Sequence, residues 1–161
     1  VARVEERIRV VVKKYELINS IYEKMYETYE NQRKALERDK IKRANELIGE
    51  RGKLIEEIDR LNKDVEEIKG RIKAELGIEE FNFSSIEGKI TAEHFNLLKE
   101  VTSKTKVLLE RLIKVDEEVS GTYKQKFDAV REKLRNLKDN KKAIKAYKVN
   151  TNYARFMDKR K

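Results

Sequence analysis

Chemistry in this 161-residue chain would have to begin at His94, its single histidine. An imidazole can act as a base or hold a metal, but a helical metal site needs a second ligand at helical spacing, and no second histidine exists. His94 therefore reads as an ordinary residue near a helix start. Gly49 and Gly52-Lys53 faintly suggest a phosphate loop. The first glycine of that motif is missing, however, Leu54 replaces its hydroxyl residue, and the stretch reads as helix interior. Carboxylates cluster at Glu56-Glu57, Glu66-Glu67 and Asp116-Glu117-Glu118. With lysines or arginines three or four residues away, these are the solvated faces of helices. The absence of cysteine excludes disulfides and thiolate chemistry. No catalytic residue, metal site or cofactor is expected, and the chain reads as a binding protein rather than an enzyme.

Two residue groups could serve binding. Tyr15, Tyr22 and Tyr29 share one helix face and read as core residues with hydroxyls at the edge. Tyr26 lies off that face and could line a groove for a partner helix. The second group is basic. Residues 138–161 hold nine Lys and Arg against two Asp, so most of the net charge of +9 sits there. Lysines with interleaved tyrosines could meet nucleic-acid phosphates and bases, but the arrangement matches no nucleic-acid module. A cationic segment can equally dock on an acidic protein surface.

The elements that must position these groups are helices. Val4, Ile8, Val11, Tyr15, Ile18, Tyr22, Met25, Tyr29, Gln32 and Leu36 advance in steps of four and three, which puts them on one helical stripe. A second stripe runs Leu47, Arg51, Leu54, Ile58, Leu61, Val65, Ile68 and Ile72. A third runs Val101, Thr105, Leu108, Leu112, Val115 and Val119, then slips to Tyr123 and Phe127 before Val130, Leu134 and Leu137. The slip near Gly121 is a stutter, which locally unwinds a supercoil.

Charged residues are 43% of the chain and hydrophobic ones 39%. Long helices accommodate that balance, because each buries only a stripe. The expected fold is all-α: an elongated antiparallel helical hairpin or bundle with coiled-coil-like packing, about three long helices and a basic C-terminal tail. Helices are expected over about 2–38, 40–76 and 92–140, with a linker at 77–91 and a basic extension, partly helical or mobile, at 141–161. Asp39 could cap the second helix, or the first could run straight on. Gly77 is the clearest helix stop. Phe81, Phe83 and Ile86 should pack the linker onto the bundle, Ser84 and Glu87 have capping-box spacing, and Thr91 can cap the third helix. No stretch approaches the ~18 apolar residues of a membrane span. The charged start is an amphipathic helix rather than a signal peptide, so the expected location is cytoplasmic.

The layout carries a resemblance. The first helix ends in Ala35-Leu36-Glu37-Arg38-Asp39. The second carries Leu47-Ile48-Gly49-Glu50-Arg51 and Leu54-Ile55-Glu56-Glu57-Ile58 and closes with Ala74-Glu75-Leu76-Gly77-Ile78. The end carries Lys142-Ala143-Ile144-Lys145-Ala146-Tyr147 and Ala154-Arg155-Phe156-Met157-Asp158-Lys159. Together these resemble flagellar type III export chaperones of the FlgN/FliT type over almost the entire chain. The resemblance implies a cytoplasmic chaperone that binds the C-terminal segments of late flagellar subunits, either hook–filament junction proteins or the cap protein, and delivers them to the export apparatus. The cargo surface would then be Tyr123, Phe127, Val130, Leu134, Leu137 and Ile144, with Tyr147 docking on the export apparatus. The longer helices and the basic end depart from the short FliT-like members. Two other readings stay open: a structural coiled-coil or scaffold protein that can self-associate, and a nucleic-acid binder acting through the basic tail.

Overall fold

The fold is all-α. In the computed structural model the backbone is described for residues 2–160 and the side chains for residues 2–146. Four helices follow in order: α1 (Ala2–Glu37), α2 (Ile41–Leu76), the short α3 (Phe83–Ile86) and α4 (Ala92–Arg160). No strand occurs among the described residues. The chain divides into two compact units, Val1–Val119 and Ser120–Lys161.

The first unit is a three-helix bundle. α1 and α2 form a hairpin of two 36-residue helices, each about 54 Å long at ~1.5 Å per residue. Their ion pairs, Arg7 with Glu75 and Lys14 with Asp64, show that they run antiparallel. α4 runs parallel to α1, because Arg9 meets His94, Asn19 meets Val101 and Tyr29 meets Asp116. The predicted seams meet in the middle. Ile8, Val11, Ile18 and Leu36 of α1 are buried with Leu47, Val65 and Ile72 of α2 and with Leu98, Leu112, Val115 and Val119 of α4.

Local chemistry sets the boundaries, and it corrects two expectations. The helices α1 and α2 are separate, and Asp39 does not occupy the N-cap position of α2. It ends α1 instead. Its φ of 55° is left-handed, Lys40 N–H donates to the Ala35 carbonyl at 2.8 Å, and Asp39 N–H donates to Leu36 at 3.1 Å. This is the double bond of a Schellman turn with an aspartate where glycine is usual. The N-cap position of α2 falls to Lys40, which makes no side-chain cap bond. The pair Ser84 and Glu87 does not form a capping box either. Asn82 caps α3, its side-chain oxygen accepting from Ser85 N–H at 2.8 Å. Asn82 precedes the first turn and has extended backbone, which is the N-cap geometry that aims a side-chain oxygen at the free amides.

Gly77 stops α2 as expected, with φ 65° and Ile78 N–H donating to Lys73. Thr91 caps α4 by accepting from His94 N–H. The linker packs its apolar residues in part: Ile86 is fully buried, Phe81 is half-buried, and Phe83 is exposed although its ring meets Phe95 edge-on at 5.6 Å. α4 continues to Arg160, past the expected end near residue 140. No glycine or proline follows Gly121 to stop it, and Gly121 itself lies within the helix.

Candidate functional site

Three polar clusters, each with at least one buried member, join the helices of the first unit. Near the start of α4, the Arg9 Nε–H donates to His94 Nε2 at 3.0 Å, and His94 Nδ1 lies 2.5 Å from Thr91 Oγ1. Both ring nitrogens are thus engaged by protein groups, and His94 ties α1 to the cap of α4. Midway, Asn19 donates to the Val101 carbonyl at 3.3 Å and accepts from Thr105 Oγ1 at 2.6 Å. Further along, Tyr29 donates to Asp116 at 2.9 Å, while the Arg51 guanidinium lies 3.8 Å from the Tyr29 ring centroid. Arg51 also donates to Gln32 Oε1 at 2.6 Å, and Gln32 donates on to the Ala44 carbonyl. Among the described residues no buried side-chain nitrogen or oxygen lacks a partner. Burial, followed by the bond to Asp116, raises the Tyr29 hydroxyl above its ordinary value; burial and the Asp59 charge do the same to Tyr22.

These clusters are structural fasteners. Gly49, Gly52 and Lys53 lie inside α2, where no phosphate-binding loop can form. Among the described residues, no group of three or more acidic or histidine side chains is placed to hold a metal ion. Tyr26 is half-buried, with the Arg111 guanidinium over its ring at 4.3 Å. A pocket of about 250 Å³ lies between α1, the linker and α4, lined by Tyr15, Phe81, Phe83, Ile86 and Leu98, with Lys69 at its rim. Burial alone would lower the Lys69 ammonium, but the Tyr15 hydroxyl and Glu66 outweigh it and hold its pKa above the ordinary value.

The second unit is a single helical segment, the part of α4 from Ser120 onward. Of the proposed cargo residues, Tyr123 is half-buried. Phe127, Val130, Leu134, Leu137 and Ile144 are 54% to 63% exposed. Successive members are separated by four, three, four and three residues, then by seven from Leu137 to Ile144. That is the a/d spacing of a coiled-coil strand. From Tyr123 to Ile144 the stripe runs about 32 Å at ~1.5 Å per residue. Tyr147 lies outside the described side chains.

In heptads, the stripe is flanked by polar residues that apolar spacing alone does not mark. Tyr123, Val130, Leu137 and Ile144 fall at d; Phe127, Leu134 and Lys141 fall at a. The e positions are Lys124, Arg131, Lys138 and Lys145, and the first two g positions are Lys126 and Lys133. The signal in the sequence is a period of seven in the basic residues, which their total charge does not reveal. The Arg131 guanidinium lies 5.0 Å from the Phe127 ring centroid, along one edge of the stripe. Among the described residues, no helix is long and apolar enough to cross a membrane.

No protein-family model, curated protein or solved structure matches this chain.

Proposed function

We propose that the chain is a helical docking protein, not an enzyme, and that it acts as a flagellar export chaperone. It would bind the C-terminal segments of late flagellar subunits in the cytoplasm and present them to the type III export apparatus. The observation that carries the docking reading is the exposed a/d stripe of the second unit. A heptad stripe exposed from Phe127 to Ile144 is a half-site for another helix. The sequence resemblance described above supplies the identity of the helix.

The reading is tested with synthetic C-terminal segments of hook–filament junction and cap proteins from the source organism, titrated by calorimetry into the full chain. Saturable binding of one of them is expected, abolished by Leu134→Glu with Leu137→Glu. The doubly substituted chain should keep its helicity, because both side chains are exposed. Undiminished binding by that variant, or binding of no such segment, refutes the reading. The basic second unit also suits nucleic acid: residues 120–161 carry fourteen Lys and Arg against four Asp and Glu. Oligonucleotide binding that falls steeply with salt and survives both substitutions would favour that alternative.

A further inference from the structure

The charges beside the exposed stripe specify the chemistry of what covers it. All four e positions of the second unit through residue 145 are basic, as are g positions 126 and 133. The three acids between residues 120 and 146 stand elsewhere: Asp128 at b, and Glu132 and Asp139 at f, on the far side of the helix. In a coiled coil, e and g side chains meet those of the partner and set which partner is accepted.

That pattern weighs against a second copy of this chain. In a parallel pair, g faces e of the partner; in an antiparallel pair, e faces e and g faces g. Either way cation faces cation except where Asn140 takes the third g position, and like charges at these positions destabilise pairing. Lys141 adds a further requirement. It occupies an a position between Leu137 and Ile144, and an ammonium in a helix seam fixes register while costing stability unless it is paired.

We propose that the second unit selects an amphipathic partner helix with Asp and Glu along both edges of its apolar stripe and a carboxylate placed opposite Lys141. The proposal rests on the reading of the 123–144 face as a docking surface and adds to it the class of helix accepted. Affinity comes from covering the stripe, while selectivity and association rate come from the cationic edges.

The test uses the full chain and two synthetic helical peptides of about three to four heptads with the same apolar seam. One carries Glu at every e and g position, the other Lys. Fluorescence anisotropy should show the Glu-edged peptide binding more tightly by about ten-fold or more, with its advantage shrinking as salt rises from about 0.05 to 0.3 M. Replacing Lys124, Arg131, Lys138 and Lys145 together by Glu should reverse the preference. Lys141→Glu should weaken a peptide with a carboxylate opposite that position and strengthen one with a lysine there. Sedimentation of the full chain alone should give a monomer. Equal affinity for both peptides, or self-association through the stripe, overturns the proposal. So does displacement of the Glu-edged peptide by an oligonucleotide whose own binding survives Leu134→Glu, since the edges would then serve phosphates. If flagellar segments bind but the four-fold reversal leaves them unaffected, this inference fails and the chaperone reading stands. If the Glu-edged peptide is selected but no flagellar segment binds, the chaperone reading fails and this one stands.

Discussion

At the scale of single residues, the bundle is held in one register by polar groups at seam positions. Gln32 and Arg51 sit at matching places on two stripes that are otherwise almost wholly apolar, and they hydrogen-bond at 2.6 Å. Removing one member leaves a charged, buried partner without its bond, so Gln32→Ala should cost about 2–3 kcal/mol in urea unfolding. Replacing both by well-packed apolar residues (Gln32→Leu with Arg51→Met) should recover most of that loss. The raised tyrosines give a second prediction. Tyr22, Tyr29 and Lys69 each hold their protons more firmly folded than unfolded. Their contribution is therefore complete below an unfolded value of about 10 and is lost as pH rises beyond it. Thermal midpoints followed from pH 8 to 12 should hold and then fall, and Tyr29→Phe should make the fall shallower. The sequence marked Gln32 and Arg51 as breaks in the seams, because one-dimensional spacing reveals which face a side chain occupies. It could not pair them, since that depends on how α1 and α2 are aligned.

At the scale of elements, helix existence was legible and helix ends less so. Three seams with periods near 3.6 gave three long helices, because burying a stripe dominates the stability of such elements. Ends depend on which of several nearby polar groups reaches a free amide or carbonyl first. Asp39 ended the helix before the one it was expected to cap, and Asn82 took the cap that spacing gave to Ser84, two positions on. The left-handed Gly77 leads to a direct prediction: its φ is 65°, so Gly77→Ala should destabilise the chain by about 1 kcal/mol through the steric cost of a Cβ at that φ. Gly52 presents the opposite case. It lies inside α2 with nothing within 4 Å of where a Cβ would stand, so Gly52→Ala should stabilise by about 0.5–1 kcal/mol. Denaturant midpoints of the two variants check both.

At the scale of the whole molecule, Val119 is the last fully buried residue of α4 among the described side chains, and the two compact units meet in sequence at that residue. A chain ending at Ser120 should therefore unfold at nearly the midpoint of the full chain, measured by circular dichroism at one wavelength. The sequence hinted at this division through the stutter near Gly121, but not through the later change in charge near residue 140, because burial follows the availability of a partner helix rather than composition. The parallel run of α4 beside α1 has a further consequence, one of time. The ties between them join residues about 80 to 90 positions apart, as in Arg9 with His94 and Tyr29 with Asp116. The α1–α2 hairpin can close as soon as α2 has been made, but the face of α1 reserved for α4 must wait for the rest. At about 5–20 residues per second of synthesis, that interval, Gly77 to Val119, is on the order of 2–9 s. During it the nascent chain displays an unfilled apolar stripe of its own, and slower translation through residues 77–119 should raise its tendency to aggregate.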